Sequence, residues 1–330
     1  MKRKLFILLF ILFLTTGCTS YTELNDLGIV SILGIDFENN QYKIYVGIIE
    51  GEQDDGTLDK KYKTYSSEGE TLDDAFQNIY IQSSKKVYLS HIDLLIVTEN
   101  TINYCLKDVI YNFLNNNEYR NNFNMVITKD LEEILKNNIP AEEINKLVTI
   151  NQQESETTMV IDFETFLKNL LIDKNSYLPY IEKIDDEKIK ATTIKLIKDY
   201  KIFDTLTEEQ TILFNLLNNK LSKANYNNIH IYENETIFNY QKNEVTIQIQ
   251  STIDQDDENY KKTLKQEVKE LIIYYLEKDY DLLKLKHKLY QNNYRYYKNH
   301  KNNILNNIKL QVTIHTTIKN NYLEKEYFYE

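Results

Sequence analysis

Glycine is scarce in this chain. The 330 residues contain seven glycines, and none follows Gly69. Dinucleotide-binding turns and the nucleophile elbows of hydrolases need glycine where the backbone turns sharply or approaches a ligand. These motifs are therefore excluded from residues 70–330. Gly51 and Gly56 imitate the start of a phosphate-binding loop, but Thr57 stands where the lysine is required. We expect a plain acidic loop at 51–56.

Cysteine and histidine are also too few to suggest a reactive or metal-binding site. The two cysteines are Cys18 and Cys105, and the five histidines show no pair at the spacing of a zinc site. Cys105 lies within apolar residues at helical spacing, where a cysteine usually acts as a small buried hydrophobe. We predict no metal, no cofactor and no catalytic residue.

The first 18 residues resemble an export signal. The basic start Lys2–Lys4 precedes the apolar run Leu5–Leu14, whose ten residues are too few to span a bilayer. Small residues then lead to Cys18, as in a bacterial lipobox. We predict that residues 1–17 are a signal peptide and that 18–22 form a tether with lipid on Cys18. The alternative is an ordinary signal whose cleavage site lies near a cysteine.

Cleavage would make an acidic chain more acidic. Residues 1–17 hold three basic residues and no acid, so the formal net charge would change from −11 to −14. Cationic contacts to phosphate dominate nucleic-acid binding. We therefore predict no nucleic-acid partner, and we expect the lipid rather than electrostatics to hold the protein at a membrane.

Strand and helix patterns alternate along the chain and predict an α+β fold. Gly28–Asp36 and Gln41–Ile49 read as a hairpin turning at 38–40, and Thr71 with Asp74 resembles a helix-capping box. We expect Asn100 to cap the helix that carries Cys105. Further strands are predicted at 92–98, 123–128, 189–200, 229–232, 245–253 and 308–314, and helices at 131–135, 207–217 and 260–275.

Length predicts two to three small domains, each a mixed β-sheet packed with helices. We place an N-terminal domain at 23–180 and a C-terminal domain at 181–330, with a candidate division near 253. Pro179 marks the boundary. The late helices are rich in tyrosine, which either serves a partner interface or replaces Phe and Trp in a biased composition.

The segment Glu23-Leu24-Asn25-Asp26-Leu27-Gly28-Ile29-Val30, followed by Leu33-Gly34-Ile35-Asp36, resembles the opening of the Ger(x)C family. These proteins are the lipoprotein C subunits of nutrient germinant receptors in bacterial spores. Tyr88–His91 with its following strand, and Leu178-Pro179, are also similar to the family. The sequence departs from it in lacking Trp in the late helices and in lacking the Gly that usually follows the Asp of the late helical segment, where Asp281-Leu282-Leu283 stands.

The resemblance implies a non-enzymatic α+β subunit that triggers germination with two membrane-embedded partner subunits. It implies a location on the outer face of the inner spore membrane. A tether of four residues reaches about 14 Å, so Glu23, Leu24, Asn25, Asp26 and Leu27 are candidates for contact with those partners near the membrane. The alternative is that Asn25 and Asp26 only turn the chain while Leu24 and Leu27 pack inside.

Two other functions remain open from the residues alone. A solute-binding lipoprotein feeding a transporter would need two lobes around a hinge. A cell-envelope hydrolase would need a catalytic carboxylate that the sequence does not single out.

The anchor prediction is tested by Cys18→Ala. This variant should leave the membrane fraction after a high-salt wash, because removing the acyl chains removes most of the apolar area buried in the bilayer. Cys105→Ala is the matched cysteine control and should stay in the membrane fraction. Full retention of Cys18→Ala in a strain lacking the partner subunits would contradict the anchor.

Overall fold

The computed structural model describes residues 27–54, 57–116, 118–155, 158–185, 188–221, 223–255, 257–300 and 304–319, without the side chains of 50–61 and 192. The predicted signal peptide and tether lie outside these residues. The fold consists of two β-sheets and the helices packed on them.

The strands, in chain order, are β1 (Leu27–Glu38), β2 (Gln41–Asp54), β3 (Thr57–Gly69), β4 (Lys86–Tyr88), β5 (Leu94–Thr98), β6 (Asn124–Thr128), β7 (Asn175–Lys183), β8 (Ile189–Lys198), β9 (Lys201–Thr205), β10 (Ala224–Tyr226), β11 (Ile229–Gln241), β12 (Glu244–Ile253) and β13 (Lys309–Ile318). The helices are α1 (Leu72–Gln82), α2 (Glu99–Asn115), α3 (Leu131–Lys136), α4 (Ala141–Ile150), α5 (Phe163–Asp173), α6 (Glu208–Leu217), α7 (Glu258–Glu277), α8 (Leu285–Asn292) and α9 (Tyr294–His300).

The larger sheet has the strand order β3-β2-β1-β5-β6-β7-β8-β9, and β4 pairs with the beginning of β1. Strands β1, β5, β6 and β7 are parallel to one another, whereas the pairs at both ends of the sheet are antiparallel. Helices cover both faces at the centre, so β5 is buried at all five positions and reads as a continuous apolar run.

The smaller sheet has the order β10-β11-β12-β13. Its first three strands are antiparallel, and β13 returns parallel to β12 after the crossover through α7, α8 and α9. Both sheets are thus mixed and packed with helices, which confirms the predicted α+β class.

Two groups of buried apolar side chains hold these layers together. One lies between the larger sheet and helices α3 and α4 and includes Ile96, Ile134 and Ile144. The other lies on the opposite face, under α1, α2 and α5, and continues without a break into the smaller sheet. The two sheets therefore share one core.

Several local predictions are confirmed. The turn between β1 and β2 is made by Asn39 and Asn40 with φ of 53° and 60°, as a two-residue hairpin turn requires. Thr71 and Asp74 form the capping box of α1. Cys105 is 3% exposed within the apolar face of α2.

Other local predictions are wrong. The acidic segment at 51–56 is not a plain loop, because β2 and β3 pair up to Asp54 and Thr57. The cap of α2 is Thr98, whose hydroxyl accepts the backbone N–H of Thr101, and Asn100 lies within the helix. Strand pairing extends into the acidic residues here, because backbone hydrogen bonds can form whether the side chains are acidic or apolar.

Pro179 lies inside β7 and is paired with Ile194 of β8. The larger sheet continues past the boundary predicted at 180 and ends at Thr205, and the smaller sheet begins at Ala224. The division into domains at 23–180 and 181–330 stays a prediction.

Gly69 ends β3 where α1 begins, and it allows the two backbones to approach closely. A Cβ on Gly69 would lie 2.4 Å from the backbone nitrogen of Ala75. Gly69→Ala should therefore lower the free energy of unfolding by about 2 kcal/mol or more, because backbone cannot move aside as a side-chain end can. Urea unfolding measures it.

Gly47→Ala is the matched control, since its nearest neighbour would be the Cβ of Ile32 at 3.3 Å. It should cost clearly less than Gly69→Ala. Equal losses in the two variants would show that the approach of α1 to Gly69 is not the cause.

Candidate partner-binding edge of the larger sheet

Parallel strands begin at one edge of a sheet and end at the opposite edge. The first residues of β1, β5, β6 and β7 are Leu27, Leu94, Asn124 and Asn175, and they lie along what we call the amino edge. The carboxyl edge is the opposite one, where these strands end.

The predicted contact residues lead into the amino edge. Cys18 and Glu23, Leu24, Asn25 and Asp26 lie outside the described residues. Leu27 is the first residue of β1, half-buried and paired through its backbone with Lys86 of β4. The candidate contact segment therefore joins the sheet at this edge.

The β2–β3 hairpin extends past the amino edge. The pairing of β1 with β2 ends at Ile29 and Ile49, whereas β2 and β3 stay paired as far as Asp54 and Thr57. Five further residues at about 3.4 Å each carry the hairpin roughly 17 Å beyond the last paired residues of β1.

A polar cleft of about 550 Å³ opens at the amino edge between the beginnings of β5 and β6 and helix α4. The Asn124 backbone N–H donates to the Asp93 carbonyl at 3.0 Å, and the Asn124 side chain donates to Asn145 at 3.1 Å. Burial raises the pKa of the Asp93 carboxyl. Ile150 at the rim is 54% exposed. The cleft offers amides, two carboxyl groups, a lysine paired with one of them and an apolar rim, which suit polar binding.

At the carboxyl edge, where α/β sheets usually bind ligands, polar side chains of β1, β5 and α2 bond to one another and to the backbone. The Thr98 hydroxyl and the Phe37 backbone N–H both donate to Oδ1 of Asp36, at 2.5 and 2.8 Å. The Thr101 hydroxyl donates to the Ile35 carbonyl at 2.8 Å. Asp36 therefore ties the end of β1 to the beginning of α2, a role that reasoning from the sequence missed.

The beginning of α8 is attached to the amino edge at β7. Asp281 is 4% exposed, and its carboxylate accepts the backbone N–H groups of Leu285 and Lys286 at 2.8 and 2.7 Å. The hydroxyl of Tyr280 donates to the carbonyl of Ser176 at 2.6 Å. The lone acid of the apolar segment 280–283, placed just before a helix, was the sequence signal for this junction.

Burial sets the protonation of the groups at this junction. It raises the pKa of Asp281 to about 6, although the two backbone donors oppose the shift. It lowers the pKa of Lys288, which lies over the ring of Phe238, to about 8. In both residues burial disfavours the charged form, which is the carboxylate of Asp281 and the ammonium of Lys288.

Cys105 is buried in the core and is not exposed as a reactive thiol would be. Burial raises the pKa of the Cys105 thiol to about 12, which confirms that it packs as a hydrophobe. Within the described residues, no three His, Cys, Asp or Glu side chains form a group that could hold a metal ion. No helix in the described part of the chain is both long and apolar enough to cross a membrane.

Comparison with known proteins agrees with the resemblance seen in the sequence. Residues 20–183 match a family model described as "Spore germination protein N-terminal domain". Over 189 residues the chain is 26% identical to spore germination protein KC of Bacillus subtilis (strain 168), a match that covers 52% of this chain. It spans 46% of that relative, or about half of its length.

The fold is also similar to a solved structure. The crystal structure of the GerBC protein superposes with a TM-score of 0.51 at 13% identity. The match covers 87% of this chain and 97% of that chain. At this identity the likeness shows the fold, and it includes the part of the chain beyond residue 183.

Asp281→Asn should remove a pH dependence of stability. Because the pKa of Asp281 is about 6 in the folded chain and near 3.8 when exposed, the folded state holds its proton more tightly. The free energy of unfolding should thus fall by roughly 2 kcal/mol as pH rises from about 4 to about 6, and by roughly 3 kcal/mol over the whole titration. The neutral amide can still accept one backbone N–H, and the difference between wild type and variant isolates this contribution.

Glu164→Gln is the matched control, since Glu164 is exposed on α5. Its stability should follow that of the wild type through the same pH range. Parallel curves for Asp281→Asn and wild type would show that Asp281 does not hold a proton in the folded chain.

Proposed function

The chain belongs to the Ger(x)C family of spore germination proteins, and we propose that it acts as the lipoprotein C subunit of a nutrient germinant receptor. The observation that carries the proposal is the family match over residues 20–183. This range contains the segment Glu23–Asp36 and every strand of the larger sheet up to the end of β7.

The subunit is non-enzymatic in this proposal, as its family is. At the carboxyl edge, Asp36, Thr98 and Thr101 bond to one another and to the backbone, which supports a structural role for these polar groups. Its contribution to germination would then come from binding other proteins and holding them in position.

The proposed anchor sets the orientation of the fold. After removal of residues 1–17, lipid on Cys18 would hold the protein on the outer face of the inner spore membrane. Eight residues lie between Cys18 and Leu27, and at most about 32 Å of extended chain connects them. The amino edge would then face the membrane, with the β2–β3 hairpin projecting toward it.

Two membrane-embedded subunits are the proposed partners. They would contact Glu23–Leu27 and the polar cleft beside Asp93, Asn124 and Asn145. The cleft and Leu27 belong to the edge that the anchor would bring to the membrane, and the amides of the cleft supply hydrogen-bond donors and acceptors to a partner.

Detergent co-purification from spores tests the proposal. The tagged chain should recover two polytopic membrane proteins, and a strain lacking the chain should lose germination in response to a nutrient. Asn25→Ala combined with Asp26→Ala should lower the recovery of the partners by at least about tenfold if these residues are central to the contact.

Gln266→Ala combined with Glu270→Ala, at exposed positions of α7, is the control and should leave recovery unchanged. Recovery of the lipoprotein alone, with normal nutrient germination in the deletion strain, would contradict the receptor function. Tight binding of a nutrient by the isolated chain in calorimetry would instead favour a solute-binding lipoprotein.

A further inference from the structure

The charges of the chain are strongly segregated. Residues 282–319 contain eight Lys and Arg and no Asp or Glu, in a chain whose formal net charge is −11. The expectation of a weak electrostatic attraction to membranes rests on the net charge of the whole chain. That net charge does not show that residues 282–319 are basic while the rest of the chain is acidic. A local basic surface attracts anions within about a Debye length, whatever the sign of the rest of the protein.

Helices α8 and α9, which we call the basic helix pair, carry half of these charges. Arg295 and Lys298 are exposed on α9, and Lys286 and Lys288 are partly exposed on α8. Within the described residues, neither Arg295 nor Lys298 has a carboxylate oxygen within 4.0 Å. Their charges are therefore available to an anionic surface.

Tyrosine rings lie beside these charges. Tyr290 and Tyr294 are 47% and 55% exposed, and their ring centroids are 5.5 Å apart. Tyr297 is 5.2 Å from Tyr290 and completes the cluster. Tyrosine combines an apolar ring with a polar hydroxyl and is enriched where membrane meets water. Cations and exposed aromatic rings on one helical segment are typical of a surface that lies on anionic lipid.

The fold attaches the basic helix pair to the amino edge. Tyr280 donates to Ser176 at the beginning of β7, and Asp281 holds the first turn of α8. Because β7 is parallel to β1, this attachment lies at the same edge as Leu27. Three inter-strand steps separate β1 from β7, or roughly 14–15 Å along the edge.

We propose that the basic helix pair docks on an anionic lipid surface and forms a second membrane contact beside the lipid anchor. The placement of this contact rests on the proposed anchor at Cys18, whereas its charge and its aromatic rings are properties of the helices themselves. Two attachments spaced along one edge would fix the orientation of the protein, which a single flexible tether does not.

Sedimentation with vesicles tests the lipid contact without the anchor. The full mature chain carrying Cys18→Ala is mixed with phosphatidylcholine vesicles, or with vesicles containing about one third phosphatidylglycerol. We expect binding to the anionic vesicles alone, and its loss between about 0.1 M and about 0.5 M salt. Arg295→Glu combined with Lys298→Glu should weaken the binding by at least about tenfold.

Lys262→Glu combined with Lys265→Glu is the matched control. These lysines are exposed on α7, outside the basic segment, and the change in net charge is the same. Binding should stay within about twofold of the parent chain. Tyr294→Ser should also weaken binding, whereas Tyr104→Ser, at a 75% exposed position of α2, should not.

Three results would each overturn the proposal. The first is an equal loss of binding in Arg295→Glu with Lys298→Glu and in Lys262→Glu with Lys265→Glu. The other two are equal binding of the parent chain to neutral and anionic vesicles, and no binding of the parent chain to anionic vesicles. Loss of the partner subunits from Arg295→Glu with Lys298→Glu, without any vesicle binding, would assign the surface to an acidic protein instead. The anchor is tested separately, because Cys18→Ala alone should abolish the salt-resistant membrane fraction whether or not the vesicle contact exists.

Discussion

Strand β1 is hydrogen-bonded along both of its sides, to β2 in antiparallel and to β4 and β5 in parallel. The parallel pairing gives the sheet its direction, because it places the beginning of β1 beside the beginnings of β5, β6 and β7. The described part of the chain therefore enters the sheet at the amino edge, and Asp36, Thr98 and Thr101 lie at the carboxyl edge. Every proposed contact with membrane or partner follows from this separation of the two edges.

Much of the fold could be predicted wherever local sequence and tertiary environment agree. Asn39 and Asn40 form their turn because asparagine tolerates positive φ in a hairpin that needs it. The segment 51–56 was misjudged because its acidic residues suggested solvent, whereas pairing with β3 satisfies the backbone regardless of side-chain charge. Pro179 lies inside β7 rather than between strands, and proline is tolerated there because its missing N–H matters only where the ladder needs a donor.

The hydrogen bonds at the two edges of the larger sheet were harder to predict, because most of them join residues that are far apart in the sequence. Asp36 was visible in a motif, but its partner Thr98 comes from the end of β5, 62 residues along the chain. Asp281 was visible in the sequence only beside the missing Gly, and its role in the first turn of α8 was not predicted. Average charge concealed the basic segment, since a net value carries no information about position.

The parallel return of β13 to β12 has a consequence for the order in which the protein can open. The whole chain between Ile253 and Lys309 must close as a loop before β13 can pair, and the basic helix pair is part of that loop. β13 is also an edge strand, bonded on one side to β12. Amide hydrogens of β13 should therefore exchange early. Any surface that immobilises α8 and α9 would then also slow the separation of β13 from the smaller sheet.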